Sequence, residues 1–336
     1  MEHVRIGDTG LEASRIGLGA WAIGGSWWGG TDEGEAVRTI HAALDLGINL
    51  IDTAPVYGRG VSEEIVGRAL AGSRRQVVIV ATKCGLSWPG GGDVVRDARP
   101  ATIRREVEES LARLGTDRID LYQVHWPDPR VPVADTAGVL ADLYREGKIR
   151  AIGVSNHSPA EMDAFRAAAP LHAAQPPYNL FEREVEDDVL PYCRRHGIAT
   201  LTYGVLCRGL LSGRMRPDTS FAGDDLRAAD DPKFRQPAYS EYLEAVDRLD
   251  RFALENFGKR VIHLAARWAL EQPGVGVALW GARRPEQLEP VEDVFGWRLD
   301  DDALDTVDRI LGATVRHPIG PEFMAPPARE DPLGPR

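Results

Sequence analysis

Asn49-Leu50-Ile51 runs into Asp52, the apolar stretch 77–81 runs into Thr82-Lys83, and the stretch 119–124 runs into His125. Each run is short and apolar, as a strand buried on both faces of a parallel sheet must be. Each delivers one ionisable residue at its far end. A charge just beyond a buried strand adds nothing to packing and is costly to desolvate. Its repetition at successive strand ends points to a single site built by those ends, which is how an enzyme is organised.

Working outward, the same rhythm predicts strands over residues 15–19, 49–51, 77–81, 119–124, 149–154, 172–175, 198–202 and 276–280. Helical patterns fall between them at 32–46, 62–70, 100–114, 135–146, 159–168, 186–196, a long stretch 240–272, and 285–294. Gly47, Gly115, Gly147, Gly197 and Gly312 stand where a helix C-cap belongs. Thr102 with Glu106 reads as a capping-box-like start. Strands alternating with helices imply an α/β fold, and eight strands are the number that closes a (β/α)8 TIM barrel. Gly7-Asp8-Thr9-Gly10 marks an N-terminal β-hairpin over the barrel bottom. Segment 214–239 and the Pro-rich tail 313–336 break the alternation. They carry Phe221, Phe234, Phe323 and Met324, and are expected as long covering loops at the C-terminal face. No linker-like stretch interrupts the chain, so 1–336 is expected to form a single domain.

The bulk properties exclude several functions. A formal charge of −11, spread along the chain, offers no basic stripe for nucleic acid or an anionic membrane. Cys84, Cys193 and Cys207 lie far apart and form no C-x-x-C, so neither a disulfide framework nor a zinc or other metal site is expected. With no apolar leader and no membrane-length apolar run, a cytoplasmic protein is expected, a monomer or weak oligomer.

In a barrel of this kind the active site lies at the C-terminal strand ends. These ends deliver Asp52 and Tyr57, then Lys83, then His125, then Ser155-Asn156, Gln175 and Tyr203. One such residue alone would read as a helix cap or turn former; the series in register reads as a site. The chemistry these types share is proton donation by a phenol. Tyrosine (about 10) and lysine (about 10.4) both titrate far from neutrality, so a perturbation is needed. A lysine ammonium beside Tyr57 would favour phenolate and lower its pKa, while Asp52 would keep Lys83 charged. His125 would donate to the carbonyl oxygen that Tyr57 protonates. This suits a carbonyl accepting hydride.

Asp52-Thr53-Ala54-Pro55-Val56-Tyr57-Gly58, Ala81-Thr82-Lys83 and Tyr122-Gln123-Val124-His125 resemble the catalytic-tetrad segments of the aldo-keto reductases. Ile149 to Asn156 and Tyr203 to Gly213 resemble that family's cofactor segments, and the resemblance runs from about Arg5 to Val294. It implies that Tyr57 is the general acid, tuned by Lys83 and Asp52, and that His125 orients the carbonyl. It implies that Ser155, Asn156 and Gln175 hold a nicotinamide carboxamide and that Tyr203 stacks on the ring. Gly204, Leu206, Arg208, Leu211, Gly213 and Arg214 would follow the pyrophosphate, and Ala20 and Trp21 would lie beside the cofactor. Gly281, Arg283 and Gln287 open a helix whose N-terminus suits a phosphate. Arg283 is the candidate for the 2′-phosphate of NADP (NADPH), with NAD possible. Pro290-Val291 stands where the family often places its adenine contacts, a departure from the pattern. The loop 207–214, the segment 278–283 and the tail 320–327 look most like a bacterial inositol-catabolism-type or general stress subgroup.

Gly17-Leu18-Gly19-Ala20-Trp21-Ala22 satisfies a loose dinucleotide fingerprint, but the glycine-rich loop 24–30 follows it instead of a helix, so the match is accidental. Trp21, Trp88 and Trp126 fall just after strands and are candidate walls of a substrate pocket for a small carbonyl compound. Cys84 and Cys207 read as structural. Two rivals share the architecture. One is an NADP-binding sensor or partner subunit with little turnover; the other is an isomerase using Lys83 as a Schiff base.

Overall fold

The computed structural model describes residues 1–221 and 223–329. β1 (His3–Arg5) and β2 (Glu12–Ser14) form an antiparallel hairpin, followed by the first barrel strand β3 (Ile16–Gly19). Then come α1 (Glu33–Asp45), β4 (Leu50–Asp52), α2 (Val61–Ala69) and β5 (Ile79–Cys84). A small hairpin of β6 (Leu86–Ser87) and β7 (Val95–Arg96) precedes α3 (Pro100–Leu114) and β8 (Leu121–Val124). The alternation continues with α4 (Val133–Arg145), β9 (Ile152–Ser155), α5 (Pro159–Arg166), β10 (Ala173–Gln175), α6 (Val189–His196) and β11 (Ala199–Thr202). The last part holds α7 (Leu226–Ala229), α8 (Ala238–Phe257), α9 (Val261–Glu271), β12 (Val277–Gly281) and α10 (Asp301–Thr314). The strands β3-β4-β5-β8-β9-β10-β11-β12 close into a parallel barrel, the (β/α)8 form expected.

Side-chain alternation sorts the strands into two cores. Leu50, Ile79, Ala81, Leu121, Ala173, Leu201 and Leu279 fill the lumen, with Ile6, Leu11 and Ala13 of the hairpin plugging it from below. Ile51, Val80, Tyr122 and Val154 point outward, packed in one cluster with Ile40 of α1, Val66 of α2 and Val107 of α3. The same alternation carries on past the apolar layer. Asp52 follows Leu50 into the lumen, Lys83 follows Ala81, and Gln123 follows Leu121, so the upper lumen turns polar. Gly17 belongs to this packing. A Cβ there would stand 2.7 Å from Leu50 Cδ2 and 2.8 Å from Leu279 Cδ2, so the fingerprint-like glycine keeps the barrel closed.

Five expectations change. The long helical stretch divides into α8 and α9, because Gly258 takes φ 64° and caps α8. Segment 285–294 is two short 3-10 turns, with Pro290 near the start of the second. The helix implied before Gly312 forms as α10, which is capped by Asp300, whose side chain accepts from Ala303 N, and buries Ala303, Val307 and Leu311. Gly312 therefore lies inside a helix. The Thr102–Glu106 cap does not form: Pro100 opens α3, and Glu106 is buried, accepting from Gly85 N at 2.8 Å. Segment 214–239 holds α7 and a turn at Pro232–Phe234, and Phe221 packs edge-on to Phe234 at 5.3 Å. The tail runs back over the barrel, with Arg96 N donating to Pro327 O at 3.0 Å; residues 330–336 of the expected tail lie outside the described residues.

Candidate active site

The ends of β4 and β5 place a carboxylate against an ammonium. Lys83 Nζ donates to Asp52 Oδ2 at 2.7 Å, to Thr53 O at 2.9 Å and to Tyr57 Oη at 3.1 Å. Asp52 is held from its other side, where Oδ1 accepts from Gln175 Nε2 at 2.8 Å and Gln123 Nε2 at 3.3 Å. Lys83 is wholly buried behind Tyr57, and its three donors have three acceptors. That geometry gives a Schiff-base lysine no route to substrate.

Tyr57 sits in the loop between β4 and α2, and a close backbone approach fixes that loop. A Cβ on Gly24 would lie 2.5 Å from Tyr57 C, and one on Gly58, at φ 67°, would lie 2.1 Å from Gly24 O. Two glycines are needed for the loops to meet. The Tyr57 ring then stacks at 6.1 Å on Trp21 and meets His125 edge-on at 5.8 Å.

Electrostatics correct one expectation. Burial, and then the Asp52 charge, push the Tyr57 phenol well above its ordinary range, outweighing the ammonium beside it. Burial also presses Lys83 below its usual value, although Asp52 and Glu63 oppose it. Burial and the Lys83 charge hold His125 well below the usual histidine value, so its imidazole is neutral near pH 7. The site presents a protonated phenol and a neutral imidazole side by side, with a cation behind the phenol.

Tyr57 and His125 open onto a cavity of about 890 Å³. Among the expected cofactor residues, Trp21, Asp52, Ser155, Asn156, Gln175 and Tyr203 line it on one side. Gly204, Leu206, Arg208 and Arg214 line it along the loop after β11, and Gly281, Arg283 and Gln287 line its far end. Ala20 and Leu211 are fully buried behind these walls; Ala20 N donates to Asp52 O at 2.8 Å and Leu211 N to Leu206 O at 3.1 Å. Gly213, φ 72°, closes that loop. Trp126 lines the cavity as expected, whereas Trp88 packs outside it against the cluster of Ala54, Val56, Tyr57 and Leu86. Cys84 is buried, and burial pushes the Cys207 thiol up to about 12, so neither is reactive.

Polar groups run the length of one wall. Asn156, at φ 60°, donates to His125 O at 3.0 Å and accepts from Tyr203 Oη at 2.9 Å. Ser155 Oγ donates to Gln175 O at 2.8 Å. Arg283 occupies the far end, half-buried, with Arg227 and Arg284 adding to the positive charge around it. Gln287 Oε1 accepts from Arg283 N at 2.7 Å and Arg284 N at 3.1 Å, which fixes this turn, while Val291 points into the core. Arg227 pairs with Asp225 at 2.6 Å and Arg284 with Glu35 at 3.3 Å, and an aromatic face beside amide and hydroxyl groups, with the Arg283 guanidinium at the other end, suits an extended ligand that carries a phosphate. Among the described residues the buried indole nitrogens of Trp21 and Trp28 have no hydrogen-bond partner.

Sequence reasoning missed Gln123, Thr53 and Glu63. Gln123 was readable, because it lies two residues before His125 on the same strand face. Glu63 was not: it accepts from Thr82 Oγ1 at 2.6 Å and pairs with Arg113 at 2.7 Å, contacts that join α2, β5 and α3. It also missed the roof residues Met215 and Ala325, which belong to segments without periodicity.

Comparison with known proteins agrees with this geometry. The model of the aldo/keto reductase family matches residues 15–311. The chain is 59% identical over 332 residues to aldo-keto reductase YhdN of Bacillus subtilis, covering 98% of this chain and 100% of that protein. It is 37% identical over 304 residues to an NADH-specific methylglyoxal reductase of Escherichia coli, covering 86% of this chain and 91% of that one. The solved structure of a glycerol dehydrogenase from Gluconobacter oxydans superposes with a TM-score of 0.87 at 55% identity, over 96% of this chain and 99% of that one.

Proposed function

This chain belongs to the aldo/keto reductase family, oxidoreductases acting on carbonyl and alcohol groups, and from that premise we propose that it reduces a small aldehyde or ketone with NADPH, reversibly. The observation that carries the reading is the chain of contacts Asp52–Lys83–Tyr57, which ends at a phenol facing the cavity beside His125.

The residues present fit a nicotinamide dinucleotide. Ser155, Asn156 and Gln175 would hold the carboxamide, Tyr203 would lie against the ring, residues 204–214 would follow the pyrophosphate, and Arg283 would meet the 2′-phosphate. When bound, that cofactor supplies hydride to the carbonyl carbon. The chain's own residues handle the proton. The neutral His125 imidazole donates a hydrogen bond to the carbonyl oxygen and orients it. Tyr57, kept protonated by burial, gives its proton to that oxygen as negative charge develops there. The Lys83 ammonium then stabilises the phenolate, and Asp52 holds the ammonium in place. Trp21, Trp28, Trp126 and Phe323 keep water from the reacting atoms.

The names of two relatives, a methylglyoxal reductase and a glycerol dehydrogenase, support small oxygenated substrates. Arg283 supports NADPH: burial and then the Arg227 and Arg284 charges press on its guanidinium, although Asp225 and Glu35, which pair with those two arginines, oppose them, and a phosphate there would relieve that pressure. The Escherichia coli relative's NADH specificity supports the opposite preference. Among the described residues no helix is long and apolar enough to cross a membrane, and the reading includes a cytoplasmic location and one domain over the chain. Initial rates with NADPH and NADH against small aldehydes and ketones test it. We expect turnover with NADPH favoured. Tight cofactor binding without turnover on any substrate would favour the sensor reading instead.

A further inference from the structure

Below the loop after β11 lies a set of buried charges that proton transfer does not use. Arg208 Nε is 2.6 Å from Asp231 Oδ2, and its Nη atoms fork onto Glu182, Nη1 at 3.3 Å from Oε2. Lys233 Nζ pairs with Glu182 Oε1 at 2.8 Å and donates to Gly320 O at 3.1 Å. All four side chains are buried. Asn179 ties the set to the loop backbone, donating to Glu182 Oε2 at 2.7 Å and Gly204 O at 3.0 Å. The Phe323 ring, a cavity wall, lies 5.4 Å from Arg208 Cζ and 5.7 Å from Lys233 Nζ.

Two features set Arg208 apart from a phosphate ligand. Its Nη fork is hydrogen-bonded to Glu182, and its Nε lies in ion-pair contact with Asp231. Arg208 and Cys207 also hold left-handed backbone, φ 53° and 45°, which side-chain-bearing residues keep only where their surroundings enforce it. Burial alone would raise the Glu182 carboxyl, but Arg208 and Lys233 hold it below the usual range.

We infer that Arg208 is a positioning residue: with Glu182, Asp231 and Lys233 it forms a buried clasp fastening the covering segment and the C-terminal turn to the loop after β11, and so governs how long a nicotinamide cofactor stays bound. Only the last clause rests on the cofactor reading. Arg208→Met, Asp231→Asn and their double variant are compared by tryptic digestion of the free protein and by stopped-flow release of NADPH and NADH. Each single change should speed cleavage within 214–239, and release of both cofactors, roughly tenfold, the double no more than either single. Faster release from Arg208→Met but not from Asp231→Asn, or additive effects, would make Arg208 an anion ligand and overturn the clasp. Cleavage spread over the whole chain would reduce it to general stability and overturn it too. If the wild type binds neither cofactor, the family-based reading fails while the digestion still decides the clasp. Should Arg208→Met not fold, Lys233→Met leaves both Arg208 pairs in place and breaks the links of Lys233 to Glu182, Gly320, Asp231 and the Phe323 ring; unchanged cleavage within 214–239 would then count against the proposal.

Discussion

The rim of the cavity and its roof are held by different physics. The rim residues Asp52, Lys83, Gln123 and Gln175 stand on barrel strands, where ladder bonds and the lumen core fix each backbone before any side chain interacts. The roof, residues 204–221, 223–234 and 320–329, is built of loops, short 3-10 turns and the single turn of α7, with no strand among them. Its positions are set by ion pairs across long sequence separations, such as Arg208 with Glu182 and Arg329 with Asp97 at 2.7 Å. The rim is thus suited to placing reacting atoms, and the roof to opening and closing over them.

The sharpest way to test that division is Tyr57→Phe. It removes one oxygen from the rim and leaves the ring packing on Trp21 intact. We expect kcat to fall by about 10³-fold, within the range for a lost general acid, while cofactor Kd by fluorescence titration changes little. Wild-type kcat in this variant would remove Tyr57 from the proton's path.

A second difference concerns pH. Glu106 of α3 supports the rim by accepting from Gly85 N, two residues beyond Lys83. Burial pushes it up to about 8 from 4.5, with Asp97 adding to the rise. The folded state therefore holds a proton that the unfolded state releases between those values. Stability is fully present below the unfolded pKa and is lost as pH rises towards 8, by at most about 1.4 kcal/mol per pH unit. Glu106→Gln keeps the acceptor and removes the titration. Urea unfolding should show it close to wild type at pH near 4.5 and more stable by a few kcal/mol near pH 8. Equal stability at both pH values would mean Glu106 is not held protonated. In the clasp beneath the roof Glu182 shifts the opposite way, so its pairing persists through this window.

Arg283→Ala probes the far end of the cavity, beyond both rim and roof, where Arg283 Nη1 also donates to Trp28 O at 2.5 Å. We expect NADPH affinity to drop roughly tenfold, as for a lost charge-assisted contact, and NADH affinity to change far less. Equal losses would assign Arg283 to loop support alone.

The same contrast explains what the sequence disclosed. The strand ends could be read because period-two alternation is local: Leu50 in the lumen implies Asp52 in the lumen. Trp88 was misplaced because proximity to a strand end does not give direction, and the β6–β7 hairpin turns it against the cluster around Leu86. The clasp was hidden, since Glu182, Arg208 and Asp231 follow no period and meet only in the folded chain. The Tyr57 pKa was misjudged because the sequence showed the neighbouring ammonium but not the depth of burial.

The smallest effect should come from Asp224, at the roof's exposed margin. Its carboxylate accepts from Trp27 N at 2.8 Å and Gly29 N at 3.1 Å, and Leu226 N donates to Trp27 O at 3.1 Å. These bonds strap segment 224–226 to the loop after β3 across the cavity mouth. They differ from the clasp in being solvent-exposed, where each is worth about 1 kcal/mol or less. Asp224→Ala should therefore speed cofactor release only a few-fold, with the melting temperature nearly unchanged. High salt should affect it little, because the strap joins a carboxylate to backbone N–H groups, not to a mobile cation. An effect as large as that of Asp231→Asn would mean that strap and clasp open as one unit, and the roof would then have to be treated as a single lid.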